Sequence, residues 1–277
     1  MERIMVGFDG SRAAESALDW VTDRAHRHPV LLDIVAVANM FGSDRSDAQK
    51  RLEDAEARMR SRMAETPIES HLLDGTMPGT LVNAARDAEL LVVGIDREHH
   101  PVRTALKGWM PLRVAVRAQR PACLVPGGWS ANDGPVFVGV DEDSSDEAVL
   151  FAAKEAAEMR ATLRVVHAWS EDRPRSRGSS AVLTAARVHA EHGLLLRRAA
   201  VRAREGHRGL HVETDLIYED DPANVLRALA SDGSLVVLGT HGRGLLSGAM
   251  AGSVAQGVVW DLRSPVCIIP DDERSAA

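Results

Sequence analysis

The chain has 277 residues, of which 45% are hydrophobic and 26% are charged, and its formal net charge at pH 7 is −7. This composition is typical of a globular protein with one large domain or two ordinary ones, and the acidic balance argues against a protein that binds nucleic-acid grooves. No run approaches the roughly 18 consecutive apolar residues of a membrane span. Because the chain enters a strand pattern at once and its two cysteines lie far apart, we expect a cytoplasmic protein with neither a signal peptide nor a disulfide framework.

The elements of the first half of the chain return in the second half in the same order. The repeated segments are IMVGFDGS at 4–11 and VFVGVDEDS at 136–144, then LLVVG at 90–94 and LVVLG at 235–239, then PACLVP at 121–126 and PVCIIP at 265–270. Such self-similarity indicates two copies of one domain. We assign the first domain to 1–126, the linker to 127–134, the second domain to 135–271 and a tail to 272–277.

Each copy is predicted to form five strands with four helices between them. In the second copy the predicted strands are 136–141, 163–169, 211–217, 234–239 and 266–269, and the predicted helices are 145–159, 180–205, 222–231 and 253–262. The strands are continuous apolar runs, which indicates that both faces of a parallel sheet are covered. The sequence therefore predicts an α/β fold of two tandem, doubly wound, five-stranded parallel-sheet domains. Ligands of such sheets bind beyond the carboxyl ends of the strands.

A glycine-rich segment, GTHGRGLLSGAMAGS at 239–253, joins the fourth predicted strand of the second copy to its last helix. Glycine lets a ligand approach the backbone closely, and the N–H groups at a helix N-terminus favour an anion, so the segment is a candidate phosphate loop. It is not a P-loop, because no lysine follows Lys154, and a dinucleotide fingerprint read from Gly242 has Ser247 in place of its third glycine. A flexible glycine-rich surface loop is the alternative.

The spacing of this segment, Gly239-x2-Gly242-x9-Gly252-Ser253, resembles the nucleotide-binding signature of the universal stress protein family. The resemblance extends over nearly the whole chain as a tandem pair of domains. It implies a Rossmann-like fold of the adenine nucleotide alpha hydrolase-like type, with ATP bound by the second copy. It also implies that the four residues of the signature hold the ribose and the phosphates through backbone amides and the Ser253 hydroxyl.

The resemblance implies roles for two residues at strand ends as well. Asp141 would face the base and the ribose, and the backbone of Ala168 would hydrogen-bond the adenine. Capping of the following helix is the alternative for Asp141, although Ser144 and Ser145 lie nearer the start of that helix. His167 lies within an apolar strand, and we interpret it as a core histidine with satisfied hydrogen bonds rather than a ligand contact.

Two further features concern metal ions. Glu142 and Asp143 replace the usual Gly-Ser after Asp141. Their carboxylates would repel a polyphosphate unless Mg²⁺ lies between, so Mg²⁺ is a candidate second cofactor. No metal site built from the protein alone is expected, because His189 and His192 lie on a polar helix face without a third ligand.

The first copy departs from the signature at its phosphate loop. Gly94 is kept, but Arg97 stands where the second glycine belongs. Gly108 aligns with Gly252, so that the bulky Trp109 takes the place of the serine. We therefore expect one nucleotide per chain, in the second copy.

Together these features predict an ATP-binding regulator or sensor of the stress response that is not an enzyme. One alternative is a slow ATP-hydrolysing or nucleotidyl-transferring enzyme; another is a nucleotide-free interaction module whose glycines only permit helix–strand packing. In the family the last strands pair across a two-fold axis, and Cys123 and Cys267 lie on the equivalent strands. We therefore expect an intramolecular pseudo-dimer or a homodimer, with neither nucleic acid nor a membrane as a partner.

Overall fold

The computed structural model describes residues 1–38, 45–96, 105–141, 146–169, 179–219, 222–240 and 263–270. The chain forms two compact units. Unit 1 contains Met1–Asn132 with Leu262–Pro270, and unit 2 contains Asp133–Asp261 with Asp271–Ala277. Within the described ranges, every helix is too short or too polar to cross a membrane.

Unit 1 is a parallel sheet flanked by helices. Its elements from the first repeat are β1 (Glu2–Gly7), α1 (Arg12–Ala25), β2 (Val30–Ala38), α2 (Arg45–Arg62), β3 (Ile68–Asp74), α3 (Gly79–Ala84), a 3₁₀ turn (Ala85–Asp87), β4 (Leu90–Ile95), α4 (Ala105–Arg117) and β5 (Ala122–Pro126). The strand order is β3-β2-β1-β4-β5, and these neighbours are parallel. Ile4, Leu32 and Val92 are fully buried in this sheet. Burial of such a side chain stabilises the fold by about 1.5–3 kcal/mol.

Unit 2 repeats this plan with the elements of the second copy. They are β6 (Val136–Gly139), α5 (Asp146–Met159), β7 (Leu163–Trp169), α6 (Ser179–Glu205), β8 (Val212–Tyr218), α7 (Pro222–Asp232) and β9 (Leu235–Gly239). The strand order is β9-β6-β7-β8, again parallel. The predicted α/β fold with a mostly parallel sheet is confirmed. The predicted helix at 253–262 lies outside the described residues.

The last strand of the chain, β10 (Val266–Ile269), belongs to unit 1. It pairs antiparallel with β5, and its Cys267 is in register with Cys123. Both cysteines are completely buried. The expected pairing of the two last strands within one chain is therefore present at these residues, and burial accounts for both cysteines.

Two equivalent glycines of the repeats have different surroundings. Gly94 in β4 lies against helix α1, and a Cβ atom placed on it would be 2.2 Å from the backbone carbonyl carbon and oxygen of Ala13. At Gly239 in β9, the nearest described atom to such a Cβ is the Cβ of Ala148, at an ordinary contact distance of 3.8 Å. Helix packing therefore requires glycine at Gly94, whereas the described neighbours of Gly239 leave room for a methyl group.

We predict that Gly94→Ala destabilises the protein by at least about 2 kcal/mol, because the added methyl group overlaps backbone that cannot move without shifting α1. The matched variant Gly239→Ala should cost less than about 1 kcal/mol, since its Cβ meets an ordinary contact. Chemical denaturation of the full chain measures both values. Equal losses in the two variants would contradict the difference in packing.

Candidate functional site

The carboxyl ends of three neighbouring strands in unit 2 meet at one edge of the sheet. Gly139 of the central strand β6 is in register with Leu238 of β9 and with Val166 of β7. The residues that follow these three positions therefore lie at the same edge. They include three of the predicted site residues: Asp141, Ala168 and Gly239.

The other predicted site residues, Gly242, Gly252 and Ser253, lie outside the described residues. So do Arg97 and the pair Glu142 and Asp143. The structure thus describes the strand ends that would hold a nucleoside. The glycine-rich segment that continues from Gly239 and the turn that follows Asp141 lie outside the described residues.

The end of β6 is held to β7 by a buried histidine. The N–H of Val140 donates to the carbonyl of Val166 at 2.9 Å, which extends the ladder one residue beyond the strand. His167 Nδ1 then lies 2.7 Å from the carbonyl of Val140. Because a carbonyl only accepts, we infer that Nδ1 carries the ring proton and donates. Both backbone polar groups of Val140, its N–H and its carbonyl, are therefore hydrogen-bonded directly before Asp141.

The second ring nitrogen of His167 is also satisfied. His167 Nε2 lies 2.8 Å from Nδ1 of His192 on α6. In the neutral ring this Nε2 is an acceptor, so His192 Nδ1–H is the donor. His167 is only 3% exposed. The prediction of a core histidine with satisfied hydrogen bonds is confirmed.

His192 has a role that the sequence did not predict. Its ring stacks on Trp169 with centroids 4.8 Å apart and planes at 30°. Trp169 in turn contacts Tyr218, its register partner on β8, edge to face at 5.1 Å. We call His167, Trp169, His192 and Tyr218 the aromatic cluster. It fixes the carboxyl ends of β7 and β8 against α6.

One signal for this cluster was present in the sequence. His167 and Trp169 are two residues apart on one strand, so their side chains lie on the same face of the sheet. The contribution of α6 could not be read from the sequence, because the polar periodicity of the helix placed His192 on a solvent face. The side chain of His189, the other member of the predicted pair, lies outside the described residues.

The first repeat shows how the equivalent turn is built. Asp9 follows β1, and its carboxylate accepts from the N–H of Ser11 at 2.9 Å. The Ser11 hydroxyl then caps α1 by accepting from the N–H of Ala14 at 3.1 Å. In this copy the aspartate orders the turn and the serine caps the helix. Gly10 between them has φ +79°, a left-handed conformation that favours glycine.

In the first repeat, the positions aligned with the end of the glycine-rich signature lie in helix α4. Helix α4 begins at Ala105, so Gly108 and Trp109 lie beyond its first three residues. Only the first four N–H groups of a helix lack an intrahelical partner. Gly108, the fourth residue, is at the limit of this set, and Trp109, aligned with Ser253, lies beyond it, so the N–H of Trp109 is bonded within the helix.

Comparison with known proteins bears on the family. The chain matches the model of the Universal stress protein family over residues 1–126 and 134–270. A universal stress protein of Mycobacterium tuberculosis is 29% identical over 307 residues, which cover 97% of this chain and 96% of the relative. A second one from that organism is 28% identical over 292 residues, with 96% and 95% covered.

A solved structure supports the fold. The crystal structure of a universal stress protein from Archaeoglobus fulgidus has a TM-score of 0.68 to this chain at 14% identity. The similarity covers 97% of this chain and 98% of that chain. The family resemblance drawn from the glycine-rich segment is confirmed by these matches.

We predict that His167→Leu lowers the free energy of unfolding by about 1–3 kcal/mol, because it leaves the buried Val140 carbonyl without its donor. The variant His192→Asn is the control: its side-chain amide still offers a donor to His167, so the loss should stay below about 1 kcal/mol. Chemical denaturation monitored by circular dichroism measures both. A larger loss in His192→Asn than in His167→Leu would contradict the anchoring role of His167.

Proposed function

The chain belongs to the universal stress protein family, and we propose that its second repeat binds ATP as the input of a stress-response regulator. The observation that carries this proposal is the meeting of Asp141, Ala168 and Gly239 at one sheet edge. That edge is where doubly wound sheets bind their ligands. The three residues bring together a carboxylate, a strand backbone and the first glycine of the candidate phosphate loop.

The groups at this edge suit the parts of a nucleotide. The Asp141 carboxylate can accept hydrogen bonds from ribose hydroxyls, and the backbone of Ala168 can pair with the edge of a base. The chain leaves β9 at Gly239, so the segment with Gly242 and Gly252 begins beside these groups. Backbone N–H groups there, with the Ser253 hydroxyl, would hold the phosphates.

The contrast between the two equivalent glycines supports a ligand role for the second. Gly94 is required by helix packing, in the copy whose signature is degenerate. The described neighbours of Gly239 impose no such requirement. The interaction-module alternative, in which the glycines serve packing alone, accounts for Gly94, whereas the described part of the chain shows no packing that requires glycine at Gly239.

We propose binding rather than catalysis as the output. The glycine-rich segment has no lysine to place on a transferring phosphate. Backbone amides and one hydroxyl are sufficient to hold a phosphate. Mg²⁺ is a proposed companion ion, since Glu142 and Asp143 follow Asp141 and would otherwise repel the polyphosphate.

We predict that the full chain binds one adenine nucleotide, and that Gly252→Arg abolishes binding because a side chain would occupy the space that the phosphate needs. The matched control is Gly108→Arg, at the aligned position of the first repeat, which should leave the stoichiometry at one. Calorimetric titration with ATP and Mg²⁺ measures both. A stoichiometry near two, or binding that survives Gly252→Arg, would overturn the proposal.

We predict that ATP hydrolysis is slower than about one turnover per minute, whereas enzymes typically work at about 1 s⁻¹ or faster. Single-turnover phosphate release with Mg²⁺ measures this rate, and Ser253→Ala serves as the comparison. Faster release that disappears in Ser253→Ala would show that the site is an enzyme active site.

A further inference from the structure

A second group of polar side chains lies in unit 1, on β2 and the edge strand β3. Glu69 and His71 are two residues apart on β3, so they share a face of the sheet. Asp33 of β2 is in register with Glu69. His71 Nε2 lies 3.5 Å from Glu69 Oε2 and 3.9 Å from Asp33 Oδ1. One ligand atom of each residue lies within 4.8 Å of the others.

The aspartate of this group is buried and only half satisfied. Its side chain is 7% exposed. Asp33 Oδ2 accepts from Arg3 Nε at 2.7 Å, and this hydrogen bond raises the pKa of the Arg3 guanidinium. The other oxygen, Oδ1, is also buried and has no hydrogen-bond partner. This is the oxygen that faces His71.

We propose that Asp33, Glu69 and His71 bind Zn²⁺. One imidazole and two carboxylates are a ligand set that zinc accepts, and three protein ligands leave a fourth position for water. Asp33 Oδ1 would gain the partner that it lacks. Arg3 would hold the other carboxylate oxygen, as the outer partners of metal ligands commonly do.

The present distances are close to those of a loaded site. Zinc–ligand bonds of about 2.0–2.2 Å place the atoms of a tetrahedron roughly 3.4 Å apart. His71 Nε2 and Glu69 Oε2 already have this separation, at 3.5 Å. His71 Nε2 and Asp33 Oδ1 are 3.9 Å apart, and a small side-chain rotation would bring them to it. The side chains of Glu69 and His71 are 64% and 44% exposed, so they are free to adjust.

The second repeat provides an internal comparison. The strand registers place Arg164, Glu213 and Asp215 at the positions of Asp33, Glu69 and His71. There Arg164 donates to both oxygens of Asp215, from Nε at 2.9 Å and from Nη2 at 2.8 Å. A guanidinium thus supplies the positive charge. In unit 1 the same three positions carry two carboxylates and an imidazole, and the guanidinium of Arg3 engages only one oxygen of Asp33, so a second cation has room at Oδ1.

This site is independent of the proposed nucleotide site. Asp33 and Glu69 lie in the first half of their strands, away from the carboxyl ends. Ser70 between Glu69 and His71 donates to Glu56 of α2, so the two candidate ligands lie on the sheet face opposite to that helix. Loss of nucleotide binding would leave this proposal unaffected.

The test is a calorimetric titration of the full, untagged chain with Zn²⁺ after dialysis against a chelator, with Co²⁺ absorption as a second readout. We expect one equivalent of Zn²⁺ and intense d–d bands of four-coordinate Co²⁺. Both His71→Gln and Glu69→Gln should weaken binding at least tenfold. Glu69 is exposed, so its replacement leaves the fold intact.

The matched control is His211→Gln. His211 lies 3.1 Å from Glu213 in the second repeat, and Arg164 replaces the buried aspartate there. This variant should keep the full affinity and stoichiometry. Absence of Zn²⁺ binding by the parent chain, or equal effects of His71→Gln and His211→Gln, would overturn the proposal.

Discussion

The register of β6 with its two neighbours is the constraint on which the candidate nucleotide site depends. Gly139 is level with Val166 on one side and Leu238 on the other, so segments far apart in sequence end at the same edge. The hydrogen bond from His167 to Val140 secures this arrangement beyond the last residue of the strand. A shift of β6 by one residue would separate Asp141 from Ala168. It would also leave the buried carbonyl of Val140 without its hydrogen-bond donor.

Much of the fold could be predicted from the sequence because burial on both faces leaves a strong local pattern. The strands of parallel sheets are continuous apolar runs, and the repeated segments show the same order of strands in both halves of the chain. For the candidate nucleotide site, the positions of Asp141 and Gly239 at strand ends could be predicted, because each follows such a run. The contact of His192 with His167 and Trp169 could not be predicted, because the rotation of a helix about its axis depends on tertiary packing, which a local sequence pattern does not contain.

The cluster on β2 and β3 was missed for a different reason. Asp33 within an apolar strand resembles an isolated interruption of the core, and Glu69 with His71 resembles an ordinary exposed edge. Only the pairing of Asp33 with Glu69 brings the three together, and pairing between strands is a tertiary property. The signal becomes visible when the two repeats are superposed by register, because Arg164 then stands in the place of Asp33.

The two copies keep one backbone plan while placing different chemistry at equivalent positions. In unit 1, Gly94 is held by the backbone of α1, so this strand end serves packing. In unit 2, the equivalent Gly239 is under no such requirement from its described neighbours and opens the intact signature. On the neighbouring strands the ion pairing differs as well. In unit 2, Arg164 donates to the carboxylate of Asp215, whereas in unit 1 one buried oxygen of Asp33 has no hydrogen-bond partner. Duplication thus allows equivalent positions of one backbone plan to differ in packing and in ion pairing.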